Sequence, residues 1–478
     1  MSILKQTVYG NFEPNFLGVS LSYPFGEYER FQSIWNSSDP DKVIWKGDQM
    51  LNRNPEKAVQ FFSLATAVTH EIRHFYDFFL SPIGNFIFRI KLACVFNGIQ
   101  LLPCFKKLIV PVPLTIWLDK KTYDQQEYIN NISYLITKKV FTEFDKNDDC
   151  IYHKMLMETQ KNYSTLEQLR KYSCYNIADT ELTDAHLFES SAIICQAQEI
   201  YNIFGLPHAE FFLSYLMKKK LSYTLVIKTL CGIWDNIPLI YTLSYMNAVI
   251  SFCLLSNIFD ENDKNNSPIS RFIQIVKLLL KYRSKVLNKL PSELLCDWIE
   301  IFYKKDVKDI FNSTEKRNGT LYKTFSEVAD KDNEFSQKIL HTFRNFIELH
   351  KYIRYHYLSN IDNYLVPYNF NNDKSIWFVP PIITRLYGGG LLFDKDKFEK
   401  NKIYPIEFNE SNNKKFVTIY LKNVSNQKII NTDIAIETLT YMNTTDYLFY
   451  KYRRNDQEYT WTKKILKLIF NIDTIELF

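Results

Sequence analysis

The sequence predicts a predominantly helical protein, and three observations carry that prediction. Glycine is scarce, 12 in 478 residues against an average of about 7 %, which argues against a turn-dense all-β architecture. Hydrophobic residues make up 46 % of the chain, with 37 Phe and 32 Tyr, ample material for a core. Apolar residues also recur at the i, i+3, i+4 spacing of an amphipathic helix from about residue 55 to 257, and again from Ile269 to about Tyr364.

Taken in order, residues 1–54 read as an irregular or partly extended lead-in. Within it Leu17-Gly18-Val19-Ser20-Leu21 alternates like a short strand before Pro24, and the segment is expected to pack on the helix that follows. Asn54-Pro55 supplies an N-cap followed by proline at the first helical position. A helix is predicted from there through Phe61, Phe62, Ala65, Val68, Ile72 and Phe75, stopping near Ser81-Pro82-Ile83-Gly84. Breaks are expected at Leu101-Leu102-Pro103, at Val110-Pro111-Val112-Pro113 and in the polar stretch from Asp145 to Cys150. A second helix should begin at Thr183-Asp184 and carry Leu187, Ile193 and Ile194 on its apolar side.

Ile237 to Phe259 carries no charge and is long enough to cross a bilayer. Its Pro238, Asn247, Asn257 and several hydroxyls favour a buried core helix over a membrane span. The polar run from Asp260 to Pro268 reads as a linker. Helical pattern resumes beyond it, as in Phe272 to Leu280 and Ile339 to Leu358. After Pro380-Pro381 the character changes, with glycines at 388–390 and β-like runs at Ile403 to Phe408 and Phe416 to Leu421. The expected organisation is therefore 1–257, lead-in plus helical core; 269–364, helical accessory region; and 365–478, a small α+β tail.

Lys and Arg total 58 against 53 acids, a net charge of +5, so no phosphate-binding surface and no nucleic-acid partner is indicated. The eight cysteines include no CxxC pair and suit reduced thiols in a cytosolic protein. Met1 to Gly10 has no basic segment followed by an apolar run, so a cytoplasmic location is expected. There is no internal repeat, P-loop or dinucleotide fingerprint.

The informative stretch is His70-Glu71-Ile72-Arg73-His74. On a helix, residues four apart point the same way, so the two imidazoles can share one metal ion while Glu71 reaches a water bound to it. Such a pattern arises by accident in only about one chain in a hundred of this length. The same face carries Ser63, Thr66, Ala67 and Asp77, mostly small or polar residues that leave room for an ion and a substrate. Asp77 could orient a ligating ring by accepting its other N–H.

A catalytic zinc site takes three protein ligands and leaves a position for water. The extended motif HExxHxxGxxH is excluded, because its glycine position holds Asp77 and its last histidine position Leu80. A glutamate on a second helix is the alternative. Glu189, set among small residues in Glu189-Ser190-Ser191-Ala192, fits best, with Asp184, His186, Glu199, His208 and Glu210 as competitors.

With these residues the chain resembles the zincin metallopeptidases, in the branch with a glutamate third ligand, whose Glu-x-x-Ala pattern Glu189 to Ala192 matches. The resemblance implies a zincin-like helical catalytic core in which His70, His74 and Glu189 hold Zn2+. It further implies hydrolysis of a peptide bond in an intracellular protein or peptide by a zinc-bound water, with Glu71 as general base. Zincins add a donor to the developing oxyanion; His186 is the expected one here, with His208 and Arg385-Leu386-Tyr387 as other candidates. The alternatives are a non-catalytic helical interaction protein with a structural or vestigial metal site, completed by His186 or Cys195, and a zinc hydrolase of non-peptide amides or esters.

Overall fold

Helices dominate the structure, and the first of them follow directly from their caps. α1 (Pro40–Arg53) runs into Asn54, whose side chain accepts the Lys57 N–H at 3.1 Å and starts α2 (Pro55–Ala65) with proline in its first turn. α3 (Ala67–Leu80) follows at once, and α4 (Pro82–Leu101) after it. The computed structural model describes residues 10–13, 18–23, 40–101, 107–110, 158–159, 161–162, 165, 174–177, 180–219, 224–235, 237–256, 267–329, 331, 334–359, 361–365, 382–386 and 473–476.

The single helix expected from Pro55 to Leu80 is two. Thr66 leaves helical geometry at φ −115°, ψ 12°, and its Oγ1 donates to the Phe62 carbonyl at 2.7 Å. A threonine that bonds back one turn bends a helix, so the motif begins one turn into a fresh helix. At the other end the chain turns by 81° between α3 and α4. Ser81 makes that elbow: its N–H donates to Asp77 O at 3.0 Å and its Oγ accepts from Gly84 N at 3.1 Å. Gly84 is required there, since a Cβ would lie 2.2 Å from the Phe78 carbonyl oxygen.

The second ligand helix is introduced by a hairpin. β4 (Cys174–Ile177) pairs antiparallel with β5 (Thr180–Thr183), Cys174 opposite Thr183. Thr183 then becomes the N-cap of α5 (Asp184–Phe204). α5 lies along α3 and ends at Gly205, whose φ of 94° and ψ of 175° only glycine adopts without strain. α6 (Leu206–Lys218), α7 (Leu225–Ile233) and α8 (Leu239–Leu254) follow. α8 is the apolar segment with the length of a membrane span, and it is buried on nearly every face from Thr242 to Leu254. Among the described residues no single helix is long and apolar enough to cross a membrane.

The second half comprises α9 (Pro268–Val286), α10 (Pro291–Tyr303), α11 (Val307–Val328), α12 (Glu334–Ser359) and α13 (Ile361–Leu365). α8 packs on α5, α9, α10 and α13, while α11 and α12 pack on α4. One continuous hydrophobic cluster runs from Ala58 to Leu365. It crosses the linker at residues 260–268, of which 260–266 lie outside the described residues.

Besides that hairpin, two small sheets among the described residues bring C-terminal strands to earlier ones. β1 (Gly10–Glu13) pairs antiparallel with β2 (Gly18–Tyr23), and β2 pairs parallel with β6 (Ile382–Leu386), Val19 opposite Ile382. β3 (Lys107–Val110) pairs parallel with β7 (Asp473–Glu476). β1 and β2 rest against α3, as expected of the lead-in, but its residues 40–53 form the helix α1 rather than irregular or extended chain. The C-terminal strands that are described thus pair with early strands. The runs Ile403 to Phe408 and Phe416 to Leu421 and the glycines at 388–390 lie outside the described residues.

Candidate metal centre

α3 and α5 meet so that His70 and His74 of one face Glu189 of the other. His70 Nε2 and His74 Nε2 are 3.1 Å apart, with the two rings edge to face. Glu189 Oε2 is 3.4 Å from His70 Nε2, and Oε1 is 3.5 Å from His74 Nε2. These three residues form a group that could hold a metal ion. His70 and His74 are largely covered, whereas the Glu189 side chain is 44 % exposed, so the group opens to solvent on the Glu189 side. Burial alone would raise the Glu189 carboxyl, but the hydrogen bonds and charge of His70 and His74 outweigh it and hold it well below the usual carboxylate range.

The spacing tests whether an ion fits. A tetrahedral zinc with bonds of about 2.0–2.1 Å to nitrogen and oxygen sets its ligand atoms about 3.3–3.4 Å apart. The two nitrogens lie 3.1 Å apart and each meets a different oxygen of Glu189, at 3.4 and 3.5 Å, while one ligand atom from each of the three residues falls within 4.8 Å of the others, close enough for a shared ion. Two imidazoles and one carboxylate are also a donor set that suits zinc. His70 Nδ1 is buried and meets no hydrogen-bond partner among the described residues.

Glu71 points from the same helix and is only 5 % exposed. His186 sits at the third residue of α5, where its Nδ1 accepts the Thr183 N–H at 3.0 Å and contacts Thr183 Oγ1 at 2.9 Å. That reciprocal cap fixes the ring and, with Nδ1 accepting, leaves the proton of the neutral ring on Nε2.

The competing ligands have other surroundings. Asp184 Oδ1 accepts from Ile269 N at 3.2 Å, tying the start of α5 to α9. His208 lies 2.8 Å from Asp48 and against the rings of Phe62 and Phe204. Glu199 is buried further along α5, where loss of water pushes its carboxyl up to about 8. The Cys195 thiol, also buried, is pushed up to about 12 by the same loss of water. Neither Glu199 nor Cys195 nor His186 belongs to the metal-binding group among the described residues. Arg385 and Leu386 lie in β6, and Tyr387 lies outside the described residues.

Asp77 does not orient a ring; it holds Arg73, the residue between the two histidines. Arg73 Nε donates to Asp77 Oδ2 at 3.0 Å and to Ser191 Oγ at 2.7 Å, and Nη1 donates to the Tyr364 carbonyl at 2.8 Å. The Tyr364 hydroxyl donates to Asp77 Oδ1, and its ring lies 4.1 Å from the guanidinium carbon. Arg73 and Asp77 are 2 % and 0 % exposed. The network therefore clamps α3 to α5 through Ser191 and to α13 through Tyr364, beside both histidines. Sequence reading passed over Arg73, although its i,i+4 relation to Asp77 was visible.

No protein-family model, curated protein or solved structure matches the chain.

Proposed function

We propose that the chain is a zinc-dependent peptidase of the zincin kind, with His70, His74 and Glu189 as metal ligands and Glu71 as general base. The observation that carries this reading is the convergence of two imidazoles from one helix turn and a carboxylate from a second helix, with one ligand atom of each within 4.8 Å of the others. Bound there, zinc supplies polarisation of a substrate carbonyl and a lower pKa for water.

The protein's own groups do the rest. Glu71, buried beside His70, takes the proton of the attacking water on a carboxylate oxygen and returns it to the leaving amine nitrogen. His186 Nε2 donates to the oxygen of the carbonyl under attack. Arg73, Asp77, Ser191 and Tyr364 keep the ligand helices in register.

The sheet on α3 supports a peptide over another amide or ester. Among the described residues its strand order is β1-β2-β6, so β1 and β6 are edges, and an extended peptide can add to such an edge of a sheet that rests on the motif helix.

The test is zinc content by elemental mass spectrometry on the full chain purified without a metal resin, for the parent, His70→Ala, Glu189→Ala and Glu71→Gln. Stoichiometric zinc should be lost with His70 and Glu189 and kept in Glu71→Gln, and cleavage of a peptide library should vanish in all three variants. A parent that takes up no zinc on titration would refute the metal site. A zinc-loaded parent that cleaves no member of the library would refute the peptidase reading.

A further inference from the structure

Away from the metal group, α4 and α11 face each other across a cavity of about 650 Å3. Its walls come from residues 86, 89, 90 and 93 of α4 and 313, 316, 317, 320, 321 and 324 of α11, with Asn162 at the side. Each set recurs at i, i+3, i+4, i+7, one face of a helix. Such facing stripes normally close on apolar side chains. Here three of the positions are Arg89, Lys316 and Arg317, and among the described residues no acidic side chain lines the space.

A further buried positive charge acts on Arg89. Arg354 of α12 is 1 % exposed, and none of its three guanidinium nitrogens has a hydrogen-bond partner among the described residues. It lies 5.4 Å from the Phe311 ring of α11. Burial lowers it to about 9, Glu315 offsets part of that loss, and Arg89 adds to it. The Arg89 Nε is likewise buried without a partner among the described residues. Burial, then the charge of Arg317, lowers Arg89 to about 10. Burying Arg89 and Arg354 near each other, with only the partial offset from Glu315, is costly, and an anion bound at Arg89 lowers that cost.

We propose that this cavity binds a small phosphate-bearing organic anion, with the phosphate on Arg89, Lys316 and Arg317 and the organic part on Phe86, Ile90 and Leu321. Guanidinium groups match phosphate oxygens in pairs. The volume is that of an ordinary small-molecule site. Neither the metal nor the peptidase reading enters this proposal.

The experiment is calorimetric titration of the full chain with ADP, and separately with pyrophosphate, in the His70→Ala background so that no phosphate reports on the metal group. Lys316→Gln is the first variant, because that side chain is exposed and the fold does not depend on it. Arg89→Gln is the second. Lys323→Gln, of equal charge change on the same helix outside the cavity, is the control. We expect saturable 1:1 binding of ADP, tighter than pyrophosphate, weakened at least about tenfold by Lys316→Gln and by Arg89→Gln and unchanged by Lys323→Gln. Three results would overturn the site: no binding of ADP at millimolar concentration, binding that Lys316→Gln and Arg89→Gln leave intact, or equal weakening by Lys323→Gln, which is diffuse surface charge. Pyrophosphate binding as tightly as ADP would overturn the organic half of the proposal.

Discussion

Replacing Arg73 by leucine tests the clamp that holds the metal helix. The substitution removes the partner of Asp77 in a pair whose side chains are 2 % and 0 % exposed. Breaking a buried pair by deleting one member costs about 3–5 kcal/mol, because the remaining charge stays out of water. Lost bonds to Ser191 Oγ and the Tyr364 carbonyl would add about 1 kcal/mol each if independent. They share one geometry with the pair, and Asp77 keeps its bond from the Tyr364 hydroxyl, so about 4 kcal/mol in all is expected. Urea unfolding of the metal-free chain, followed by circular dichroism, measures it.

The double variant Arg73→Met, Asp77→Leu separates a charge effect from a packing effect. It leaves no stranded carboxylate and should recover at least about half of the loss. A single variant less than about 1 kcal/mol below the parent would refute the description of a buried, mutually dependent pair. A double variant no better than the single would show that the charges are not what matters. Zinc affinity of the single variant should also fall about 10- to 100-fold, since supports behind metal ligands act on that scale.

Glu199 gives a pH signature: its carboxyl rises from an ordinary 4.5 to about 8 through burial, so the folded form binds the extra proton. Its contribution therefore falls by about 1.4 kcal/mol per pH unit as pH rises from the unfolded value toward 8, and Glu199→Gln should flatten that slope in urea midpoints measured from pH 5 to 8; an unchanged slope would contradict it. Gly84→Ala should cost more than about 2 kcal/mol, because its Cβ meets backbone rather than a movable side chain; a thermal midpoint equal to the parent's would count against the tight elbow. His186→Ala should cost no more than about 1 kcal/mol from the lost cap, yet lower kcat by about a hundredfold with KM unchanged if Nε2 serves as donor; parallel stability and kinetic measurements separate the two effects, and an unaltered kcat would leave His186 with only its cap. Asn54→Ala should lose about 1 kcal/mol, read as a shifted urea midpoint.

The sequence was most legible where the physics is local. Asn54-Pro55 and Thr183-Asp184 start helices because a capping side chain and the first turn are neighbours in the chain. The spacing of His70 and His74 is likewise a property of one helix turn. Choosing Glu189 over Glu199 needed more, since both lie on α5 and only the docking of α5 on α3 turns one toward the histidines. The break at Thr66 escaped notice because a backward hydroxyl bond leaves the apolar periodicity intact. Arg73 and Tyr364 are distant in sequence, and nothing short of tertiary contact reveals that one reads the other's carbonyl. The cationic cavity is hidden for the same reason: 58 basic residues spread through the chain average to a small net charge, and only the facing of α4 and α11 gathers three of them.

The elbow at Ser81 gives the two candidate sites a common mechanical element. Ser81 and Gly84 lock α3 to α4 at 81° through backbone contacts rather than a flexible loop. α3 carries the paired imidazoles, and α4 carries Arg89. A rotation of α4 that drew Arg89 toward a ligand would be passed to α3 as a lever passes torque, with little slack to absorb it. His74 and His70 lie 7 and 11 residues before Ser81 and Arg89 lies 8 after it, so the arms are of similar length and an angular change at the elbow alters the donor separations that an ion senses.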